Sequence, residues 1–391
     1  DLNARENFLE TAERRDSVLQ LARLINYNGK RNIPGNGFLK IVSVSTTDNV
    51  ADANGINLAN QIISWNDPTN NNWYQQFVAI LNNAMPENYV FGRPYDSATI
   101  SGIDHEQYRF NSANTDVPLY GFNANINGTS MGFEIVSSMF AGKSYVYEEP
   151  PLPANQFSFI YKNDKRGNSS TNTGFFVHFR QGTLSVSNFT IDSAIPNDLV
   201  TIDAPDINNT DVWLWQLTPS GNYNTLWSKV DDLVGNNVIY NSISNDVKNI
   251  YAVLTRANDA IDLSFSDGSF GNLPKGQFNL FYRQSNGLSY VAKPAQMSNI
   301  SVSIPYRNKI GQAATLNLVV SLQESVSNSV GSETNANIKT KAPQNYYVQN
   351  RMVTGEDYNI APLTVGGDIL KIKSINRLSS GISKYYELSD I

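Results

Sequence analysis

From about residue 86 to about residue 308 the chain is a succession of short aromatic and β-branched runs, each closed by a cluster of Asn, Gly, Ser or Pro. Such runs suit a pleated, half-buried surface, and the residues between them are those that turns need. The chain shows no βα alternation, which argues against a parallel sheet. The expected class is α+β, mostly antiparallel β.

Turn chemistry places individual strands. Pro34-Gly35-Asn36-Gly37 leads into a strand over 38–46. Runs 156–162 and 174–180 read as paired strands around a soluble tip, 163–173, with Lys165 and Arg166 in solvent. Trp213, Trp215 and Trp227 flank a hairpin turn at Thr218-Pro219-Ser220-Gly221-Asn222. Ile261-Asp262-Leu263-Ser264-Phe265-Ser266 alternates strictly and runs into Asp267-Gly268, a strong hairpin signal. Another hairpin is expected across Ser285-Asn286-Gly287, with Phe278, Leu280 and Tyr282 facing Leu288, Tyr290 and Ala292.

Helical spacing is confined to the ends and one internal segment. Residues 1–27 read as helical, with a break near Thr11 and a stop at Asn28-Gly29; Val18, Leu21, Ala22 and Ile25 share one face. Such a stripe ordinarily packs on its own domain. Residues 73–85 put Trp73, Phe77, Ile80, Leu81 and Ala84 on one side, and Pro86 closes that helix. A helix starting at Ser332 should end or bend at Ala342-Pro343. Thr354-Gly355-Glu356-Asp357 is a variant capping box opening a second short helix, which Pro362 stops. Residues 369–375 read as a strand. The expected regions are an N-terminal helical segment at 1–30, a β-rich domain at 31–206, a β-hairpin region at 207–310 and an α+β region at 311–391.

Composition narrows the function. A net charge of −6 and a pI near 5.1 argue against a general nucleic-acid binder. Charged residues make up 16% of the chain, below a typical share of about 25%. A polar, weakly charged surface suits protein–protein contacts, whose centres are poor in Lys, Glu and Asp, and also suits sugar binding. Absence of cysteine excludes disulfides, zinc ribbons and thiol catalysis. With only His105 and His178, a multi-histidine metal site is not expected. No apolar run approaches the ~18 residues that span a bilayer. The chain begins at Asp1 without an initiator Met, and it is expected to be the ordered part of a longer, soluble, cytoplasmically made protein.

Catalytic motifs match by letters and fail by context. Gly128-Thr129-Ser130-Met131-Gly132 spells a nucleophile elbow, and Asp164 and His178 follow in α/β-hydrolase order. Yet Asn123-Ala124-Asn125-Ile126-Asn127 precedes it and the strand-like Phe133-Glu134-Ile135-Val136 follows, so a glycine-rich hairpin is expected. Gly142-Lys143-Ser144 lacks the leading glycine of a phosphate loop, since position 137 is Ser137. Glu148-Glu149 and Asp231-Asp232 could supply a carboxylate pair, but neighbours on a strand point to opposite sides. Solvated charge is the expectation for both.

Arg351-Met352-Val353-Thr354-Gly355-Glu356-Asp357-Tyr358 reads as Arg-x-Val-Thr-x-x-Asp-Tyr. Upstream stand Phe265-Ser266-Asp267-Gly268, Phe270-Gly271, Pro274, Gly276, Tyr282-Arg283 and Asn286-Gly287. In these segments the chain resembles the baseplate J-like family of contractile phage tails, and among its members the larger baseplate wedge subunits of T-even-like phages. Glu6-Asn7-Phe8-Leu9-Glu10-Thr11-Ala12 and Ser17-Val18-Leu19 resemble the same subunits' N-terminal helical region, and Asn376-Arg377 with Ser380-Gly381-Ile382-Ser383 their later sequence.

The resemblance implies a structural virion protein, not an enzyme, without cofactor, metal or catalytic residue. It implies pairing of copies within and between wedges into a six-fold ring around the tail tube, and contacts with other wedge proteins and with tube- and sheath-proximal baseplate proteins. Neither nucleic acid nor membrane is an expected partner. The expected location is the tail baseplate, assembled in the host bacterial cytoplasm. Val18, Leu21, Ala22 and Ile25 become interface candidates, joining a bundle with neighbouring subunits. Asp267, Gly268, Gly271, Arg351, Thr354, Asp357 and Tyr358 take structural roles, Arg351 pairing with Glu356 or Asp357 and Tyr358 packing in a core. Two other classes fit the residues alone: a tail-associated hydrolase using Ser130 or a carboxylate pair, and a glycan-binding adhesin using the Tyr/Asn/Trp-rich β region.

Overall fold

The computed structural model describes residues 5–65, 67, 70–85, 89–90, 93–111, 120–141, 145–152, 156–231, 233, 247–348, 355 and 358. The chain divides into two compact units. One comprises Asp1–Lys30, Thr255–Ala257 and Ser332–Ile391, the other Arg31–Leu254 and Asn258–Gly331. Among the described residues there are three α-helices: α1 (Arg15–Leu24), α2 (Trp73–Ala84) and α3 (Asn335–Val348). None is long and apolar enough to cross a membrane.

In the first unit α1 is shorter than the spacing predicts. Residues 6–14 are turns, bends and irregular chain instead, and Glu6 explains the late start: its Oε1 accepts from the Glu13 amide at 3.0 Å and from the Arg14 amide at 3.4 Å. These are orphan donors ahead of a helix start, and a carboxylate there also meets the positive end of the helix dipole. The helix stops before Asn28, because Asn26 takes a left-handed φ of 60° and the Tyr27 amide returns to the Ala22 carbonyl at 2.9 Å. Val18, Leu19 and Ala22 are buried with Ala12, against Ile338 and Ala342 of α3. Helix α3 opens with Thr334, whose Oγ1 accepts from the Asn337 amide at 3.2 Å, and it does not end at Pro343. Proline there removes one backbone donor, but the buried Ile338 and Ala342 anchor the turns around it, and packing carries the helix through.

The second unit contains the sheets. Its first strands are β1 (Asn36–Thr46), β2 (Ile63–Ser64), β3 (Tyr89–Val90), β4 (Arg93–Pro94), β5 (Asp96–Ile100), β6 (Ile103–Asn111) and β7 (Tyr120–Ile126). Next come β8 (Thr129–Val136), β9 (Ser138–Ala141), β10 (Tyr145–Glu148), β11 (Gln156–Asn163), β12 (Gly174–Gln181), β13 (Thr183–Ile191) and β14 (Leu199–Ile202). The last are β15 (Ile207–Leu217), β16 (Tyr223–Val230), β17 (Ile250–Thr255), β18 (Ile261–Phe265), β19 (Gly276–Gln284), β20 (Ile300–Arg307) and β21 (Ala313–Leu322).

Ten strands form one sheet, in the order β20-β21-β1-β12-β11-β6-β5, with β2 beside β1 and the β7–β8 hairpin beside β12. Seven form another, β13-β19-β15-β16-β17-β18-β14, in which β13–β19, β15–β19, β15–β16 and β14–β18 are antiparallel and β16–β17 is parallel. Mostly antiparallel β with a few helices is therefore the observed class. Helix α2 covers the larger sheet; Phe77 meets Phe175 edge-on at 4.5 Å and Phe159 at 5.7 Å. Each buried side chain of this size contributes roughly 1.5–3 kcal/mol. The smaller sheet has its own core around Leu214, Trp227, Tyr251, Leu263, Phe278 and Leu280.

Expected pairings hold where the turn is local. β11 pairs β12, and β15 pairs β16 around Gly221, φ 83°. The Asp267-Gly268 hairpin does not form. β18 already has β17 on one side and β14 on the other, with Leu199 opposite Ser264, so β19 finds no place beside it. Nor do residues 288–292 return along β19. They pass to the larger sheet's core, where Tyr290 and Ala292 are buried and Ala292 bridges Val326. The boundary expected at 310/311 falls inside the β20–β21 hairpin, where Arg307 pairs Ala313, and the one at 206/207 falls within the second unit. Only the division at 30/31 coincides with a unit boundary.

Candidate functional site

The chain passes from the larger to the smaller sheet at Gln181-Gly182-Thr183 and leaves the smaller sheet at Gln284-Ser285. Register brings the two passages together, with Thr183 opposite Gln284. Gly182 has φ 114°, and a Cβ there would collide with the Gln284 carbonyl oxygen. Beside these passages lies a buried cluster of five charged side chains. Arg283, on β19 and 1% exposed, is its hub. Its Nη1 and Nη2 each reach a Glu148 oxygen at 2.8 Å, a bidentate pair. Its Nη1 also meets Asp211 Oδ2 at 2.7 Å, and its Nε meets Glu134 Oε2 at 3.2 Å. Arg180, on β12, lies 2.7 Å from Glu148 and 3.2 Å from Asp211.

Neutral groups complete the shell. Glu134 accepts from the Leu184 amide at 2.8 Å. Asp211 accepts from Thr210 Oγ1 at 2.8 Å and Asn208 Nδ2 at 3.1 Å. Asn208 in turn donates to Ser285 Oγ at 3.2 Å, and Ser285 to the Gln181 carbonyl at 3.2 Å. Both chain passages are thus tied to the cluster.

Electrostatics follow from burial opposed by partners. Burial favours the neutral form of Asp211, but Arg180 and Arg283 outweigh it and hold the carboxyl well below the usual range. Burial opposes the Arg283 charge too, yet Glu148 and Asp211 raise its affinity for the proton. For Glu134 burial prevails over Arg283, and its carboxyl is pushed up. His178, on β12, is buried and held neutral, by burial first and then by Arg180 and Lys162. Its Nδ1 lies 2.8 Å from Ser138 Oγ and its ring stacks on Phe38 at 4.9 Å. Ser138 is fully buried, so this Ser–His pair is closed to a substrate. The cluster is suited to locking two sheets, since its three carboxylates are directed at the Arg283 guanidinium.

The residues singled out from sequence scatter. Ser130 is exposed on β8, opposite Asn125 in the β7–β8 hairpin, whose turn residues Asn127 and Gly128 have φ 53° and 86°. Asp164 organises the exposed tip, accepting from Ser170 and Thr173 Oγ1. Lys165 pairs there with Asp104 at 3.1 Å. His105 is buried on β6, its Nδ1 2.9 Å from the Ile103 carbonyl. Glu148 and Glu149 do part to opposite surroundings, but neither is simply solvated. Glu148 belongs to the buried cluster, and Glu149 bonds Ser137 at 2.9 Å and pairs with Arg109 at 3.5 Å. Asp231 is exposed, whereas Asp232 and Gly142-Lys143-Ser144 lie outside the described residues.

Of the interface candidates, Val18 and Ala22 are fully buried within the chain, and Leu21 and Ile25 are partly buried beside them. Asp267 is exposed and accepts from the Ser269 amide at 2.8 Å, while Gly268 has φ 90°. A methyl at Gly271 would sit 2.8 Å from Ser266 Cβ and 2.9 Å from Ile250 Cγ1. Arg351, Thr354 and Asp357 lie outside the described residues, as do 369–375 and the later motif segments. Tyr358 is 50% exposed rather than packed in a core. Among the described residues no group of His, Asp and Glu is placed to hold a metal ion.

Sequence reasoning passed over Glu134, Asp211, Arg180 and Arg283 as a set. One signal was available: each is a lone charge inside an otherwise apolar or uncharged stretch of strand, and such a charge is buried only if paired.

The fold and this cluster define a mostly antiparallel β protein whose two large sheets are joined by internal ion pairs. Residues 37–325 match the family model described as a domain of unknown function, DUF8360, which is well over half of the chain. The chain belongs to that family, and the match spans both sheets from β1 to β21. A search of curated proteins gives no match.

Proposed function

We propose that the chain is a structural subunit acting through contacts with other chains, in the wedge of a contractile-tail baseplate. The observation that carries an assembly role is a set of large apolar side chains left in water in the first unit. Tyr347 is 83% exposed and Leu24 81% exposed, and Phe8 and Tyr346 are also exposed. Aromatic side chains of this kind are enriched at interfaces. The choice of a baseplate rests on the resemblance at Arg351–Tyr358 and at 265–287, with the C-terminal region as the J-like part. The family match stops at residue 325, so the Arg351 motif adds information independent of it.

In this reading copies pair within and between wedges, close a six-fold ring around the tail tube, and rearrange when the tail engages a host. Closed rotational symmetry lets one chain type build such a ring. Electron cryomicroscopy of intact particles tests it. The expected result is this chain at six-fold symmetric positions in the baseplate, paired with wedge proteins; its absence from the particle overturns the proposal. A hydrolase assay with Ser130→Ala as control addresses the rival class, and activity abolished by that change would replace this reading.

A further inference from the structure

Most free edges of the two large sheets carry a device against pairing with another chain. β5 is five residues long and begins with Asp96, and β2 has two residues. β20 carries Pro305 and Arg307. β14 has four residues, flanked by Asp198 and Asp203. β7 lies against β20 and the turn Pro294–Gln296. β13 touches β8 but carries none of the other protections. Its nine residues, Thr183–Ile191, include no charge, no proline and no glycine. All nine pair with β19 without a bulge, from Thr183 opposite Gln284 to Ile191 opposite Gly276.

On its other side no strand pairs with β13 among the described residues. The Leu184 amide points that way, to Glu134 Oε1 at 2.8 Å. Backbone groups of a strand alternate in direction, so those of Val186, Asn188 and Thr190 face outward too. All three residues are exposed, Val186 to 50%.

We propose that β13 takes up a second copy of this chain, edge to edge and antiparallel about a two-fold axis, making the two seven-stranded sheets continuous. Charge and symmetry select this occupant. A two-fold axis sets a strand against itself, so a charge on the axis would face its own copy and like charges placed symmetrically about it would face each other; β13 has no charge at all. With the axis through Asn188, that residue faces the partner's Asn188 and Val186 faces the partner's Thr190. This register uses only the three residues whose backbone groups Glu134 leaves unpaired. It places a β-branched pair on either side of an amide pair and sets no like charges opposite each other. The proposal stands on the edge alone and holds whether or not the chain belongs to a tail.

Sedimentation equilibrium of the purified chain over a concentration series tests it, alongside the double variant Val186→Lys/Thr190→Lys. Both lysines would stand at exposed positions. The wild type is expected to approach twice the monomer mass, and the variant to stay at monomer mass with unchanged circular dichroism. Should the variant not fold, amide exchange of the wild type decides: residues 183–191 are expected to exchange more slowly at high than at low concentration. A wild type monomeric throughout overturns the proposal. So does a dimer that the lysines leave intact, or one in which 183–191 exchange as in the monomer. Particle microscopy reads the baseplate assignment separately, so either idea can fail without the other.

Discussion

Arg283 decides the charge balance of the second unit. Its guanidinium contacts three carboxylates, Glu134, Glu148 and Asp211, while Arg180 reaches the last two. Arg283→Met keeps the length of the side chain but leaves buried acid uncompensated, and breaking a buried pair in this way costs about 3–5 kcal/mol. We expect urea unfolding at neutral pH to show a loss of that order; a change below about 1 kcal/mol would mean that water solvates the carboxylates. His178 gives a second prediction. Held neutral in the fold, it binds fewer protons than in the unfolded chain at any pH below about 6.5. Its contribution is therefore complete above that pH and is lost as pH falls, by up to about 1.4 kcal/mol per unit. Glu134, pushed up by burial, works in the opposite sense, its cost appearing as pH rises past the ordinary carboxylate range. His178→Gln removes only the first effect. Stability measured from pH 7 to 5.5 should fall less steeply in this variant than in the wild type, and parallel curves would contradict the assignment.

At the scale of elements, the passage at Gly182 is where a small change should be felt most. Its φ of 114° and the adjacent Gln284 carbonyl leave no room for a side chain, so Gly182→Ala should destabilise by more than about 1 kcal/mol. A thermal unfolding curve matching the wild type would show that the two passages can separate freely. This passage also marks the limit of what the sequence discloses. Strand β1, helix α2 and the hairpins at 127–128, 163–173 and 218–222 were legible because their signals are local: a period of two or 3.6, closed by turn residues. Asp267-Gly268 carries an equally good local signal, yet both sides of β18 are filled by strands from elsewhere in the chain. The charge cluster is less legible still. Glu134 and Arg283 are 149 residues apart in sequence, and nothing near either one records the other. Of the two outcomes expected at Pro343, an end or a bend, the helix does not end there, since the packing of Ile338 and Ala342 outweighs one lost backbone bond.

For the molecule as a whole, the division into units makes a claim about folding. A domain folds alone when its core and its polar satisfaction are its own. Both large cores lie within the second unit, and so does every member of the charge cluster, from Glu134 to Arg283. The three residues Thr255–Ala257, which cluster with the first unit, are the exception. The Thr255 amide takes Asn28 Oδ1 at 3.0 Å, and the Ala257 amide takes Asp16 Oδ1 at 3.2 Å. A fragment of residues 31–331 loses these partners at one end of β17. It keeps the sheet register, α2 and the network that joins the two passages. We expect it to fold as a β-rich monomer or dimer, with a single cooperative urea transition at somewhat lower denaturant than the same transition in the full chain. Arg283→Met in the fragment should abolish or strongly shift that transition, because the cluster is internal to it. A fragment that remains unfolded, or an Arg283→Met effect present only in the full chain, would mean that the lock between the sheets depends on residues outside 31–331.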